Sequence, residues 1–150
     1  MNLLNKIQVE LKAPKNQYNS FGKYKYRSLE DIFEGLKPLL LKYECSVSVF
    51  DEIVQVGDRY YIKATVRLTD KEGVIVGTGI GYAREEEAKK GMDASQVTGA
   101  TSSYARKYAM NGLFAIDDVK DSDATNTHGK DKQVVKSLST GTKTTVDDEW

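Results

Sequence analysis

Residues 59–69 alternate between apolar and largely polar side chains, and this segment constrains the fold more than any other. The apolar positions are Tyr60, Ile62, Ala64, Val66 and Leu68. The positions between them include the basic residues Lys63 and Arg67. Successive side chains of a β-strand point to opposite faces of a sheet. The pattern therefore predicts a half-buried antiparallel strand with a basic outer face.

Two neighbouring segments carry the same period of two. Val47 and Val49 predict a strand before this one, and Gly57 begins the turn between them. Residues 70–73, DKEG, predict a hairpin loop that leads into a third strand over residues 74–82. The three segments together predict an antiparallel meander.

Helical spacing appears before and after the strands. Residues 2–12 predict a short amphipathic helix. Ser28 is a good N-cap for a second helix, with Asp31 three residues on, and Pro38 is expected to kink or divide that helix. A last helix is predicted from about residue 93 to residue 113. The predicted fold class is α+β, with a three-stranded antiparallel sheet and flanking helices in the order α-α-β-β-β-α.

Three glycines in the third strand raise the question of a nucleotide-binding loop. After Gly77 and Gly79, the pattern G-x-G-x-x-G requires its third glycine at Tyr82, and no parallel βαβ pattern surrounds the segment. We therefore interpret Gly77, Gly79 and Gly81 as residues that bend an edge strand. The chain is not predicted to be an ATPase.

Residues 117–150 differ in composition from the rest of the chain. They hold eight acidic residues and five lysines, which leaves 17 basic and 14 acidic residues in 1–116. All nine tyrosines and all four phenylalanines precede this segment. A segment this polar buries too little apolar surface to offset its chain entropy. We predict one domain over residues 1–118 and a flexible, disordered polar tail over residues 119–150 with an acidic tip.

Few residues are suited to catalysis or metal binding. The single cysteine, Cys45, and the single histidine, His128, exclude an internal disulfide framework, a cysteine-cluster zinc site and most histidine-dependent chemistry. A magnesium-dependent nuclease would have to use a cluster of aspartates on one polar segment, namely Asp117, Asp118, Asp121 and Asp123. We expect no enzyme, no catalytic residue, no metal and no cofactor, and we keep the nuclease as the less favoured alternative.

No segment is predicted to enter a membrane. The longest purely aliphatic run covers residues 39–41, which is far too short to span a bilayer. Residues 1–12 carry charges where a signal peptide needs an apolar stretch. We expect a cytoplasmic protein without a membrane partner.

Basic and aromatic residues are interleaved in two places. The first is a loop-like segment over residues 15–27, KNQYNSFGKYKYR, and the second is the last helix, at Tyr104, Arg106, Lys107 and Tyr108. One interpretation is a core helix with ordinary solvated basic residues. The other is a surface for single-stranded nucleic acid, on which bases stack and phosphates are neutralised. The residues alone leave both interpretations open.

Three segments resemble the ERF (essential recombination function) family of phage single-strand annealing proteins. Residues 25–32, KYRSLEDI, resemble the family's K-Y-x-S-L-x-D segment. Residues 96–109, QVTGATSSYARKYA, are close to its G-x-x-x-T-Y-x-R-R-Y-A pattern, and residues 112–118, GLFAIDD, are also similar. Ser103 stands for a threonine of that pattern and Lys107 for an arginine. Lysine keeps the charge but loses the bidentate geometry of arginine toward phosphate.

The resemblance implies an ATP-independent protein of phage homologous recombination that coats single-stranded DNA and pairs complementary strands. It also implies a homo-oligomeric ring or filament built on a β-β-β-α core, in the cytoplasm of the host cell. Further implied partners are a host or phage single-strand binding protein or an exonuclease. A plain coating protein on an oligonucleotide-binding barrel remains an alternative, although three predicted strands argue against that barrel.

Charge and aromatic character select the residues that we predict to contact DNA. They are Lys23, Lys25, Arg27, Lys63, Arg67, Arg84, Lys89, Lys90, Tyr104, Arg106 and Lys107.

Overall fold

The computed structural model of the chain describes residues 1–86 and 91–116. These residues contain three helices and five strands: α1 (Leu3–Glu10), β1 (Gln17–Asn19), β2 (Tyr24–Tyr26), α2 (Leu29–Lys42), β3 (Ser46–Val56), β4 (Arg59–Thr69), β5 (Ile75–Glu85) and α3 (Ala94–Leu113). The predicted α+β class and order of elements are confirmed, with one added hairpin. The predicted tail over residues 119–150 lies outside the described residues.

The central sheet is antiparallel, with β4 between β3 and β5. Val66 on β4 lies opposite Val49 on β3 and Gly79 on β5, which fixes the register across all three strands. β4 has the bounds that the alternation predicted, whereas β5 extends beyond the predicted residue 82 to Glu85. One face of this sheet packs against the helices and contributes to the hydrophobic core.

The helices cover the apolar face of β4. The side chains of Ile62, Ala64, Val66 and Leu68 are buried, and they pack in one cluster with residues of all three helices. The apolar face predicted from the alternation is thus confirmed for these four positions. Tyr60, the fifth, is 46% exposed because it lies at the end of the strand, outside that cluster.

The glycines of β5 lie beneath α3. A Cβ atom on Gly79 would come within 2.4 Å of the Ala109 carbonyl oxygen, and one on Gly81 within 2.3 Å of the Ala105 carbonyl oxygen. β5 is an edge strand, as predicted, but the glycines are explained by contact rather than by bending. Glycine at these positions lets the helix backbone approach the sheet directly.

The second helix begins as the sequence predicted. The side chain of Ser28 accepts a hydrogen bond from the Asp31 backbone, and the Asp31 carboxylate accepts one from the Ser28 backbone. Pro38 does not divide the helix, which runs unbroken to Lys42. Ile32 and Leu36 are buried before the proline, and half-buried leucines follow it, so packing on one core holds both halves together.

The segment predicted to be a loop over residues 15–27 is a short hairpin instead. β1 and β2 pair antiparallel, with Tyr18 opposite Lys25. The turn is closed by a hydrogen bond of 2.9 Å from the Gly22 backbone to the Asn19 side chain. Three-residue strands are too short to produce a recognisable period, which is why the sequence pattern did not indicate them.

Candidate nucleic-acid interface

Two tyrosines are exposed on one side of α3. Ala105 and Ala109 are fully buried, and their backbones contact β5. Tyr104 and Tyr108 therefore point away from the core, and they are 54% and 46% exposed. Their ring centroids lie 6.4 Å apart, with an angle of 30° between the ring planes. Exposed rings in this arrangement offer flat apolar faces on which a nucleobase can stack.

Lys107 lies between two tyrosine rings. Its Nζ atom is 5.4 Å from the ring centroid of Tyr26 on β2 and 6.0 Å from that of Tyr104. Burial lowers the pKa of Lys107 below its usual value, and the charge of Arg27 lowers it further, while Asp31 acts in the opposite direction. A half-buried ammonium near a second cation attracts an anion such as phosphate. We call Tyr26, Tyr104, Lys107 and Tyr108 the α3 surface.

A groove of about 380 Å³ runs along the edge of β5 beside α3. Its walls include Tyr82 from β5 and Tyr104 and Tyr108 from α3. Ala100 and the buried Val97 and Thr101 also line it. We call it the edge groove. Two charged residues, Arg84 and Glu86, also lie along it.

The opposite face of the sheet is basic and partly apolar. Its side chains include Phe50, Lys63, Arg67, Ile80, Tyr82 and Arg84, which we call the sheet surface. Phe50, Ile80 and Tyr82 are each about half exposed. The guanidinium of Arg67 lies 5.1 Å from the ring centroid of Phe50, and Lys63 forms an ion pair of 3.2 Å with Glu52.

Arg106 points away from the α3 surface, toward β3. Its guanidinium donates to the Asp51 carboxylate from Nε at 3.1 Å and from Nη2 at 3.0 Å. Ser102 donates to the same carboxylate. Desolvation raises the pKa of Asp51, but the hydrogen bonds from Arg106 and Ser102 outweigh it and hold that pKa below its usual value. Arg106 thus joins α3 to the sheet in this structure.

The three basic residues predicted near the hairpin occupy different environments. Arg27 is only 4% exposed, and its Nε donates to the Ala13 carbonyl oxygen. Lys23 and Lys25 are exposed, Lys23 in the turn and Lys25 on β2. Lys25 points to the opposite side of β2 from Tyr26, because neighbouring residues of a strand alternate in direction.

The structure therefore divides the predicted contacts among several places. Tyr104 and Lys107 come together on the α3 surface, whereas Lys63, Arg67 and Arg84 share the sheet surface. Four residues lie at neither: Lys23, Lys25, Arg27 and Arg106. Lys89 and Lys90 lie outside the described residues. All of these contacts with DNA remain predictions.

Five residues of the α3 surface and the sheet surface were not among the predicted contacts, namely Tyr26, Phe50, Ile80, Tyr82 and Tyr108. Asp51, the partner of Arg106, was not predicted either. Tyr108 shares a face with Tyr104 at a spacing of four, which is a signal in the sequence. Asp51 also had a signal in the sequence. It follows Val49 by two residues in a strand, so it lies on the same face of the sheet, the face that α3 covers. The partnership of Tyr26 with Lys107 had no local signal, since 81 residues separate them.

The described part of the chain holds neither a candidate metal cluster nor a membrane-spanning helix. Residues 1–86 and 91–116 contain no group of three or more His, Cys, Asp or Glu side chains placed to hold a metal ion. The four aspartates of the nuclease alternative lie outside these residues. None of the helices that the structure describes is long and apolar enough to cross a membrane.

The fold unites a β-β-β-α unit with two helices and a hairpin that precede it, and comparison with known proteins gives its family. The profile of the ERF superfamily matches residues 2–147. The chain belongs to this family.

A named relative is the "Essential recombination function protein" of Salmonella phage P22. It is 68% identical to this chain over 120 residues. The match covers 80% of this chain and 57% of the relative, so the chain spans little more than half of that protein. No solved structure matches the chain.

Proposed function

We propose that this chain acts in phage recombination by binding single-stranded DNA and pairing complementary strands without ATP. Membership of the ERF superfamily and the name of the phage P22 relative support the recombination role. The α3 surface supports the choice of single-stranded DNA as the ligand. Unpaired bases expose flat faces that tyrosines can stack on, and those faces are inaccessible within a duplex.

The position of Lys107 carries this proposal. Its ammonium lies beside the rings of Tyr26 and Tyr104, and the exposed ring of Tyr108 follows along the helix. A strand whose phosphate pairs with Lys107 has its adjacent bases next to tyrosine faces. This combination of one cation with several rings suits a polymer of alternating phosphates and bases, whatever its sequence.

Strand pairing requires that the Watson–Crick edges of the bound bases remain accessible. Stacking uses the face of a base and an ion pair uses the phosphate, so neither occupies those edges. Annealing is favourable on its own, and the protein has only to reduce phosphate repulsion and keep the strand extended. No catalytic group and no nucleotide cofactor are needed for this task.

The proposal includes assembly of several copies along one strand, in a ring or a filament. One copy presents few cations on the α3 surface, and a few exposed contacts give weak binding. Copies arrayed on a continuous strand bind with a combined affinity far above that of one copy. Weak individual contacts also allow the paired product to be released.

The experiment is annealing of two complementary fluorescent oligonucleotides across a salt series, with the chain and without ATP. We expect acceleration that declines as salt rises, because counterions compete with the basic residues. Tyr104→Ala with Lys107→Ala is expected to remove most of the acceleration. A matched control is Lys37→Ala, which removes an exposed lysine on α2 that pairs with Glu34.

Other outcomes point to the alternative functions. Tight binding of one oligonucleotide without acceleration indicates a coating protein and contradicts the annealing proposal. Loss of full-length oligonucleotide that depends on added Mg²⁺ indicates a nuclease. No binding at low salt contradicts single-stranded DNA as the ligand altogether.

A further inference from the structure

The edge groove lies between the α3 surface and the sheet surface, and residues of both line it. Tyr82 and Arg84 belong to the sheet surface, while Tyr104 and Tyr108 belong to the α3 surface. The two surfaces face opposite sides of the sheet, so a ligand can join them only around a strand edge. The edge of β5 is where aromatic side chains from both meet.

We propose that one DNA strand runs from the α3 surface across the edge groove onto the sheet surface, with a nucleobase stacked in the groove against Tyr82, Tyr104 and Tyr108. This inference rests on the proposed function and assigns the path of the strand. On this path, the exposed apolar side chains of the sheet surface contact the bases of the strand. Val97 and Ala100 line the groove together with the three tyrosine rings, and apolar and aromatic lining with a few polar groups is usual for sites that hold a planar ring.

The charges along this path favour DNA over a second copy of this chain. Lys107 lies at one end, Arg84 at the groove, and Lys63 and Arg67 beyond it on the sheet. A second copy that presented the same sheet surface would bring these cations against one another. Glu86 also lies at the groove, and its carboxylate repels phosphate. Arg84 is the residue of the groove lining that attracts phosphate.

Aromatic and aliphatic side chains continue the path on the sheet. Tyr82 pairs across the strands with Lys63, and Ile80 with Thr65. Phe50 lies on the same face under the guanidinium of Arg67, at 5.1 Å. Cations interleaved with rings thus recur on the sheet, as they do on α3. A sheet face of this kind is a known platform for stacked bases.

The test measures binding of fluorescent oligothymidylate to the full chain by anisotropy, and uses an abasic strand of equal length as a second probe. Tyr82→Ala is expected to weaken oligothymidylate binding about 5- to 150-fold, the usual effect of losing one stacked base. Tyr82→Phe keeps the ring and is expected to bind as the unmodified chain does. The abasic strand has no bases to stack, so Tyr82→Ala is expected to leave its affinity unchanged.

A matched control and a length series complete the design. Tyr60→Ala makes the same change at a tyrosine that is 46% exposed and is not part of the groove lining. Its binding is expected to stay at the level of the unmodified chain. Arg67→Ala is expected to weaken binding of oligonucleotides of about 16 nucleotides but not of about 4, because only the longer strand reaches the sheet surface.

Three results would contradict the proposed path of the strand. If Tyr82→Ala binds oligothymidylate normally while Tyr104→Ala binds it weakly, the strand stays on α3, and the path is wrong although the proposed function stands. If Tyr82→Ala weakens both probes equally, the effect is not stacking and the groove is not a base site. If the unmodified chain binds neither probe, the proposed function and the path fail together.

Discussion

Arg106 on α3 donates to both carboxylate oxygens of Asp51 on β3, from Nε to Oδ1 at 3.1 Å and to Oδ2 at 3.2 Å, and from Nη2 to Oδ2 at 3.0 Å. The pair connects the helix to the strand on the far side of β4 from β5. Both side chains are partly buried, with exposed fractions of 37% for Arg106 and 24% for Asp51. The arginine of the family-like motif therefore has a structural partner within the chain.

Replacing either partner is expected to destabilise the fold. Asp51→Ala should lower the free energy of unfolding by about 1 kcal/mol, because it leaves a charge-assisted pair unmade in a partly buried position. Arg106→Ala should have a similar effect, and the double variant should lose less than the sum of the two. Urea denaturation of all three variants measures this coupling. Strictly additive losses would show that the two side chains do not stabilise each other.

The pair is also expected to make stability depend on acid pH. Because the folded-state pKa of Asp51 lies below its usual value of 3.8, its contribution is complete above that value. It is lost as the pH falls through the lowered folded-state pKa. The difference in unfolding free energy between the unmodified chain and Asp51→Asn should therefore be full at about pH 7 and shrink below about pH 4. A difference that grows in acid would contradict the direction of the shift.

Replacement by alanine is expected to change the stability of the fold in opposite directions at Gly81 and Gly99. Gly81→Ala places a Cβ atom 2.3 Å from the Ala105 carbonyl oxygen and 2.5 Å from the Ala109 nitrogen, and should destabilise the fold by about 1–3 kcal/mol. Gly99→Ala meets nothing within 4 Å and should stabilise α3 by roughly 1 kcal/mol. Thermal unfolding compares the two directly, and equal melting temperatures would refute the close packing of α3 on β5.

Lys107 is expected to contribute one phosphate contact to DNA binding. Lys107→Ala should lower affinity for single-stranded DNA and reduce the slope of log K against log salt by about 1. Lys107→Arg should retain the slope, since it keeps the charge. Titrations at four salt concentrations measure both quantities, with Lys37→Ala as the exposed control. A variant that loses affinity with an unchanged slope would assign Lys107 to packing instead.

The parts of the fold that the sequence predicted are those with a local physical cause. Ile62 to Leu68 follow a period of two that only a half-buried strand satisfies, and Ser28 with Asp31 satisfies the first backbone amides of a helix whatever surrounds it. Pro38 was expected to kink or divide its helix, but the helix is not divided, because core packing on both sides of the proline outweighs the loss of one hydrogen bond. A prediction from the local sequence was wrong where packing against residues distant in the sequence determines the structure.

The candidate site was predictable in composition but not in arrangement. Basic and aromatic residues were recognisable in the sequence, yet their division between two faces depends on which neighbours become buried. Arg27 lies among exposed lysines in the sequence, yet it is only 4% exposed, and its Nε donates to the Ala13 carbonyl oxygen. The edge groove itself has no sequence signature, because its walls come from residues about 20 positions apart on β5 and α3.

The glycine contacts beneath α3 have a consequence for how the chain meets a ligand. At Gly79 and Gly81 the backbone of β5 lies directly against the backbone of α3, which leaves the helix little room to slide or tilt on the sheet. The backbone positions that carry Tyr82 and Tyr104 are therefore fixed relative to each other before any ligand binds. The packing of α3 on β5 is thus preorganised, and most of the conformational entropy lost on binding is that of the DNA.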